Sequence, residues 1–297
     1  MKRSSKDKKP YFIAEISANH CGKISMAKKL IKCAKKNGAS AVKIQSYTPD
    51  TMTINSNKKY FKIKSGIWKN YNLWQLYKEA QTPFEWHKEL FDYSKKIGIT
   101  IFSTPFDSTA VDLLEKLKCP IYKIASFEMT DIPLLKKIAQ TGKPIIMSTG
   151  MADLEEIKYS FSCLKKFGAK DITLLYCVSN YPSKLEDFNM NNIKILKKTF
   201  NCKIGFSDHS TDDSIAFAAI LSVAEVVEKH IGLANQRVGH DIKFSIKGDK
   251  IRTFINKINY AYRMLGKESF FRSKTEKKSK VFRRSIFSTK KIIKGEK

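Results

Sequence analysis

The chain has 297 residues, a hydrophobic fraction of 42% and a formal net charge of +28. No stretch approaches the roughly 18 consecutive apolar residues that a membrane span needs, and the basic start lacks the apolar segment of a secretory signal. We therefore expect a cytoplasmic protein with no membrane partner. The six cysteines form no CxxC pair, which indicates reduced core residues rather than disulfides or zinc ligands.

The positive charge is spread along the chain rather than concentrated. Much of it consists of lysines on predicted helical faces, as in Lys28-Lys29 and Lys136-Lys137. A nucleic-acid-binding protein usually gathers its charge on a stripe or arm with aromatic residues that stack on bases. We therefore expect no nucleic-acid partner, and a basic RNA-binding protein or an inactive scaffold is the alternative from another class. A positive field favours an anionic substrate.

Eight short apolar runs alternate with amphipathic segments of helical length. The predicted strands are residues 11–17, 41–46, 99–104, 121–126, 144–149, 172–178, 203–207 and 226–231. Glycines at the ends of several helical segments supply the left-handed residue that a helix C-terminus favours. After a basic N-terminal tail, residues 1–10, this repeat predicts an α/β fold, a (β/α)8 TIM barrel over residues 11–266.

A long aromatic interval follows the second predicted strand. Residues 47–82 include Tyr60, Phe61, Trp68, Tyr71, Trp74 and Tyr77. A loop between a strand and its helix lies on the catalytic face of a barrel, so this interval is expected to form a lid or substrate wall. The alternative is a packed surface excursion.

Two histidines follow neighbouring apolar runs, in Ser207-Asp208-His209 and Glu228-Lys229-His230. Two imidazoles at adjacent strand ends can hold one divalent metal and leave coordination positions for a substrate. The alternative is that His209 caps the helix starting near Asp212 and that His230 is satisfied in the core.

Two lysines interrupt apolar strands, in Val42-Lys43-Ile44 and Tyr122-Lys123-Ile124. A buried ammonium group needs a counter-charge, so each lysine predicts an internal carboxylate, such as Glu15 or Glu128, or an anionic ligand. A Schiff-base aldolase is one functional interpretation. Hydroxyls on neighbouring strand ends, as in Ser148-Thr149-Gly150, favour a phosphate clamp beside the metal.

Several phrases resemble the sialic acid synthase family. They are Ala14-Glu15-Ile16-Ser17-Ala18-Asn19-His20, Val42-Lys43-Ile44-Gln45, Ser103-Thr104-Pro105-Phe106-Asp107, Tyr122-Lys123-Ile124-Ala125-Ser126-Phe127-Glu128, Met147-Ser148-Thr149-Gly150-Met151 and the two histidine phrases. Within the family, Tyr47-Thr48-Pro49-Asp50-Thr51-Met52-Thr53 and the segment 79–87 are most similar to the pseudaminic acid synthase branch.

The resemblance implies an enzyme that condenses phosphoenolpyruvate with an open-chain amino sugar, forming a nine-carbon 2-keto acid and phosphate. The acceptor implied is a 6-deoxy diacetamido hexose, and the alternatives are an N-acetylneuraminate or legionaminate synthase or a catalytically impaired truncated homologue. It further implies a homodimer and a divalent cofactor, Mn²⁺ or else Mg²⁺ or Co²⁺. The implied metal ligands are His209 and His230.

The resemblance also assigns roles to the other strand-end residues. Glu15 is the implied acid/base that activates water, and Glu128 is a second carboxylate in the same chemistry. The residues implied to bind phosphoenolpyruvate are Lys43, Thr104, Lys123, Ser126, Ser148 and Ser207. Tyr181 and Asp241 are implied to contact the sugar.

Two regions depart from the family pattern. After His230 the chain reads Ile231-Gly232-Leu233-Ala234-Asn235-Gln236-Arg237, and Gly239-His240-Asp241 stands where Gly-Pro-Asp is usual. Residues 267–297 are expected to be a basic linker and the truncated start of a C-terminal antifreeze-like (SAF) domain, whose first strand Phe282-Arg283-Arg284-Ser285-Ile286-Phe287 resembles. We expect either a truncated protein or a second polypeptide that completes this domain.

Overall fold

The computed structural model describes residues 9–266, 269–270 and 272–297. The predicted N-terminal tail, residues 1–10, lies outside this part except for Lys9 and Pro10. The chain divides into two compact units, Met1–Met264 and Leu265–Lys297. Among the described residues, no helix is long and apolar enough to cross a membrane.

The first unit is built on a closed parallel barrel. Its strands are β1 (Tyr11–Glu15), β2 (Ala41–Ser46), β3 (Thr100–Pro105), β4 (Tyr122–Ile124), β5 (Ile145–Ser148), β6 (Ile172–Cys177), β7 (Lys203–Asp208) and β8 (Val226–Gly232), with a short β9 (Ile246–Lys247). Each strand pairs with the next in sequence, and β1 pairs with β8 in a register that places Glu15 opposite His230. The predicted (β/α)8 barrel is therefore confirmed.

Helices alternate with the strands around the barrel. They are α1 (Ile24–Lys36), α2 (Pro49–Met52), α3 (Leu73–Ala80), α4 (Phe84–Ile97), α5 (Ser108–Lys116), α6 (Ile132–Gln140), α7 (Leu154–Lys166), α8 (Asn191–Thr199), α9 (Ser214–Leu221), α10 (Lys250–Leu265) and α11 (Lys274–Lys278). In α1 the residues Ala27, Leu30, Ile31 and Ala34 are buried, so the helical spacing read from the sequence marks the face that covers the barrel.

Two strands end two residues earlier than their apolar runs predict. The expected strand 11–17 stops at Glu15, because the Ser17 backbone turns back and donates its N–H to Glu15 Oε1 at 2.7 Å. The strand expected over 121–126 stops at Ile124, where a turn begins with Glu128 N–H bonded to the Ala125 carbonyl. In both cases the chain leaves the strand in a turn, which places polar residues at the mouth of the barrel.

The second unit, residues 265–297, is short, and apolar side chains in its described part are exposed to solvent. It contains α11 and a single turn of 3-10 helix, Ser279–Phe282. Ile286 and Phe287 are fully or largely exposed, at 103% and 81%. The segment 282–287 that resembles a first strand has no strand partner among the described residues, because this unit offers no second strand with which its backbone could pair.

Candidate functional site

A ring of buried polar side chains lines the carboxyl-terminal mouth of the barrel. Seven strands contribute one member each, all at most 4% exposed: Glu15, Lys43, Thr104, Lys123, Ser148, Ser207 and Glu228. Their strand neighbours Ala14, Val42 and Val227 are fully buried apolar residues that belong to the hydrophobic core. The alternation of a strand therefore separates a packed outer face from a polar inner face.

Both predicted buried lysines lie in this ring and share carboxylate partners. Lys43 Nζ is 2.7 Å from Glu15 Oε2 and 3.4 Å from Glu228 Oε1. Lys123 Nζ is 3.8 Å from the same Glu228 oxygen. Two ammonium groups and two carboxylates thus form one compact, water-poor cluster.

Hydroxyl groups add further hydrogen bonds to this cluster, in which Glu228 Oε2 is left buried without a hydrogen-bond partner among the described residues. Lys43 Nζ donates to Thr104 Oγ1 at 3.3 Å, and Lys123 Nζ donates to Ser148 Oγ at 2.7 Å. Ser207 Oγ donates to Glu228 Oε1 at 3.0 Å. The structure therefore brings Lys43, Thr104, Lys123, Ser148 and Ser207 together around a common centre.

The ionisation of the cluster is uneven. Burial opposes charge on Glu228, but Lys123 and Lys43 outweigh it and lower the pKa of Glu228 to about 2. Burial raises the pKa of Glu15 to about 7, against the opposing effect of Lys43. Burial lowers the pKa of Lys43 less than Glu15 and Glu228 raise it, so Lys43 is a cation. Glu15 is the member able to exchange a proton near neutral pH.

Glu228 was not among the predicted site residues, and Glu128 does not pair with either lysine. Among the described residues, the ion pairs of Lys43 and Lys123 go to Glu15 and Glu228 alone. Glu128 is partly buried, its Oε2 has no hydrogen-bond partner, and burial raises its pKa to about 7. The signal for Glu228 is its position two residues before His230, which places both on the inner face of β8.

A small cradle lies beside Lys123. Gly150 N–H donates to Ser126 Oγ at 3.0 Å, and Ser126 Oγ lies 3.2 Å from Cys177 Sγ. A Cβ on Gly150 would come within 2.9 Å of both Cys177 Sγ and Ser126 Oγ, so glycine is required by close approach. Ser179 Oγ would also meet that Cβ. Ser179 follows the end of β6, where polar residues were expected, whereas Cys177 is a site residue that the sequence analysis missed.

His209 and His230 face each other at the ends of β7 and β8. Their ring centroids are 5.7 Å apart. His209 Nδ1 donates to the Val178 carbonyl at 3.0 Å, which leaves Nε2 with a free lone pair. Burial lowers the pKa of His209 to about 4 and lowers that of His230 well below its usual value, so both rings are neutral.

The alternatives for these histidines do not match their contacts. The helix after β7 begins at Ser214, whose N–H is accepted by Asp212 Oδ1 at 2.8 Å, so His209 does not cap it. His230 Nδ1 is buried without a hydrogen-bond partner and lies 3.6 Å from Asp241 Oδ2. His230 is therefore not a satisfied core histidine.

The residues present fit a divalent metal. Two neutral imidazoles with unused nitrogen lone pairs are typical ligands of such ions, and a hydrogen bond from the other ring nitrogen orients a ligand of this kind. Within residues 9–266, 269–270 and 272–297, no three or more His, Cys, Asp or Glu side chains come together as a complete ligand set. The remaining ligands of an ion here would be water or substrate.

Tyr181 and Asp241 border the two histidines. The Tyr181 ring centroid is 4.5 Å from that of His209. Asp241 is 6% exposed and lies beside His230, and burial raises its pKa. Both predicted sugar-contacting residues thus lie on the histidine side of the mouth, opposite the lysine cluster's hydroxyl partners on β3 and β5.

The chain is similar to proteins of known activity over most of its length. Residues 30–270 match the NeuB family. The pseudaminic acid synthase of Campylobacter jejuni subsp. jejuni serotype O:2 is 41% identical, over 98% of this chain and 84% of that protein. The pseudaminic acid synthase of Helicobacter pylori is 42% identical, over 97% and 85%.

More distant relatives share the same architecture. The N,N'-diacetyllegionaminic acid synthase of C. jejuni is 38% identical, over 97% of this chain and 87% of that protein. The crystal structure of an N-acetylneuraminic acid synthetase from Leptospira borgpetersenii superposes with a TM-score of 0.83 at 29% identity, covering 92% of this chain and 91% of that one.

Proposed function

The chain belongs to the NeuB family, and from that membership we propose that it is a pseudaminic acid synthase. It condenses phosphoenolpyruvate with an open-chain 6-deoxy diacetamido hexose and releases phosphate. The observation that carries this function is the buried pair of lysines and hydroxyls beside two metal-competent histidines, in a chain 41% and 42% identical to pseudaminic acid synthases.

The lysine cluster suits the charge of phosphoenolpyruvate. Lys43 and Lys123 offer two ammonium groups, and Ser126 and Ser179 of the cradle, with Ser148 beside Lys123, offer hydroxyl donors of the kind that bind phosphate oxygens. Lys123 has a lowered pKa because it is buried. An anionic ligand beside it would favour its protonated form, so substrate binding would strengthen this contact.

We infer that His209 and His230 hold a divalent ion such as Mn²⁺. When bound, the ion supplies Lewis-acid polarisation of the acceptor's aldehyde oxygen. The chain's own part is to present two neutral imidazoles, to fix the His209 ring through the Val178 carbonyl, and to exclude water with the surrounding rings of Tyr181 and Phe244.

Glu15 is the acid/base group that we propose for the addition of water. Carbon C3 of phosphoenolpyruvate attacks the aldehyde carbon, and water adds to C2. Phosphate then leaves the tetrahedral centre by carbon–oxygen cleavage. A carboxyl group with a pKa of about 7 can accept the proton of that water and return it. Glu128 is a second carboxyl group with a similar pKa at the mouth.

The alternative readings of the same residues are less well supported. A Schiff-base lysine must be deprotonated to attack a carbonyl. Lys43 is held as a cation by two carboxylates. Burial lowers the pKa of Lys123, but this lysine lies beside Glu228 and donates to Ser148 Oγ. A legionaminate synthase would use the same phosphoenolpyruvate site with a different sugar, and the 38% identical relative makes it the second candidate. A homodimer and a cytoplasmic location stay predictions.

The activity is tested by phosphate release with Mn²⁺, phosphoenolpyruvate and a panel of acceptors. The panel contains 6-deoxy-2,4-diacetamido hexoses of the altrose and mannose series and N-acetylmannosamine. We expect release with the altrose-series sugar above the others, and no release when either substrate is omitted. A preference for another sugar reassigns the acceptor, and no release with any sugar would sink the proposal.

A further inference from the structure

The segment between β2 and α4 crosses the mouth of the barrel. We call residues 53–80 the lid. Its lysines 58, 59, 62, 64 and 69 are exposed. Residues 73–80 of the lid form α3, and the part before this helix is tied to it by a short bridge, Lys62 with Asn72. The position of the lid over the barrel depends on side chains that reach other elements.

Trp68 is a lid side chain that contacts residues of the site. Its Nε1 donates to the His240 carbonyl at 3.1 Å. Its ring centroid is 5.6 Å from that of Tyr181, which in turn is 4.5 Å from His209. An aromatic chain therefore runs from the lid to the first of the two metal-competent histidines.

His240 holds the lid through its side chain as well as its carbonyl. Its ring meets the edge of Tyr71 at 5.8 Å between centroids. Its Nε2 lies 3.6 Å from Glu79 Oε2. His240 therefore contacts three residues of the lid, Trp68 through its carbonyl and Tyr71 and Glu79 through its ring.

Residues 236–240, which we call the anchor, are held in place by hydrogen bonds and close packing. Gln236 Nε2 donates to the Asn19 carbonyl at 2.7 Å and to the Val238 carbonyl at 2.9 Å. Gly239 has a φ of 152° and leaves no room for a Cβ, which would lie 2.6 Å from Asn19 Oδ1. The anchor is thus bound to the turn after β1, residues 17–20, and the lid is bound to the anchor.

A cavity of about 470 Å³ lies where the lid meets the loops after β6 and β7. Gly66 and Ile67 of the lid form one side, and Tyr181 and Pro182 form another. Apolar surface here is provided by Leu185, Phe188 and Ile215. Lys184, Ser210 and Asp212 add polar groups to its lining. Tyr181 lines the cavity and also contacts both Trp68 and His209, so it connects this space with the histidine side of the mouth.

We propose that Trp68, held in place by His240, is a specificity-determining residue that forms the wall of the acceptor-sugar site. Its ring and that of Tyr181 pack against the methyl and acetamido groups of the sugar, whose desolvation favours binding. Phosphoenolpyruvate is held chiefly by Lys43 and Lys123, whose ion pairs go to Glu15 and Glu228 rather than to the lid, so its affinity depends on the lid less than that of the acceptor. This inference rests on the proposed function.

The test compares Trp68→Ala with Trp74→Ala. Trp74 is a matched control because it lies in the same lid but donates to Asp50 Oδ1 of α2, at 2.8 Å, rather than to the His240 carbonyl. We expect W68A to raise the KM for the acceptor about 10-fold or more, the effect of losing apolar contact in a binding pocket. The KM for phosphoenolpyruvate should change less than about two-fold, and W74A should change neither.

Two further measurements distinguish a Trp68 that contacts the sugar from a Trp68 that only maintains the structure of the lid. Trp68→Phe keeps the ring but loses the bond to the His240 carbonyl, so we expect a smaller rise in acceptor KM than for W68A. Trypsin should cut at the lid lysines faster in W68A and His240→Ala than in the wild type or W74A.

Three results would overturn the inference. They are an unchanged acceptor KM in W68A, an equal rise in both KM values, and an effect of W74A as large as that of W68A. If the wild-type protein releases no phosphate with any sugar, the proposed function falls and this inference falls with it. If the wild type is active and the acceptor KM of W68A is unchanged, the inference is wrong but the proposed function stands.

Discussion

Neutral histidines are buried on both the outer and the inner face of the barrel. Those on the two faces differ in how many of their ring nitrogens have hydrogen-bond partners. His87 of α4 packs outside the barrel, and its Nε2 accepts from Ser46 Oγ at 2.6 Å while Nδ1 donates to the Pro83 carbonyl at 3.0 Å. Burial lowers its pKa to about 4, as it does for His209. His209 uses only one ring nitrogen, and His230 Nδ1 has no partner.

The comparison shows that burial and a lowered pKa do not by themselves identify a functional histidine. Ser46 is also 2.6 Å from Ser103 Oγ, which donates to the Ile44 carbonyl at 3.0 Å. Each member of this outer network has its partners inside the protein, so it stabilises the fold. The inner histidines keep lone pairs that the protein does not use, which is what a ligand requires.

The largest expected effect compares a histidine on the inner face of the barrel with one on the outer face. His209→Ala should weaken Mn²⁺ binding by more than about 100-fold, because loss of a partner outside the first coordination shell already costs about 10–100-fold. The metal content per chain after dialysis measures this. His87→Ala is the matched control and should retain metal while losing about 1–3 kcal/mol of unfolding free energy. Unchanged metal content in H209A would refute the assignment.

The second prediction concerns the ion cluster on the inner face. Lys43→Ala leaves Glu15 and Glu228 buried without their shared cation, and removal of one partner of a buried pair costs about 3–5 kcal/mol. Urea unfolding at pH 7 measures the loss. The surface pair of Lys88 and Asp92 is the control, and Lys88→Ala should cost less than about 1 kcal/mol. Equal losses in the two variants would contradict a buried cluster.

The smallest effect is a pH dependence at Glu128. Its pKa is raised to about 7 in the folded protein from an ordinary value of 4.5. The folded state therefore binds this proton more tightly, so its contribution to stability is present below pH 4.5 and is lost as the pH rises through 7. Glu128→Gln should gain stability relative to the wild type between pH 5 and pH 8. A constant difference across this range would show that Glu128 is not buried as described.

The strands and the polar ring could be predicted because they depend on short-range patterns. Apolar runs predict buried strands, and residues two apart share a face, which places Lys43 and Lys123 inside the barrel. The role of Glu228 could not be predicted in this way. It lies between two lysines from other strands, and that arrangement depends on the stagger of the closed barrel.

The outer histidine network and the lid contacts were also beyond prediction. Ser46 and His87 are separated by the whole lid and part of α4, and Trp68 reaches a carbonyl at residue 240. Such contacts are set by how loops fold over the barrel, for which the sequence carries no periodic signal. The aromatic content of 47–82 indicated a wall without indicating which ring forms it.

The pairing of β1 with β8 has a consequence for how the protein is made. Glu15 emerges early in synthesis, but its neighbours in the site include Glu228 and His230, from the last strand of the barrel. Contacts between residues so far apart in sequence form slowly, since a long loop must close first. A nascent chain that has not yet completed β8 therefore holds Glu15 and Lys43 without half of their partners. Acquisition of metal and substrate affinity should thus coincide with barrel closure, the last step in folding of the catalytic unit.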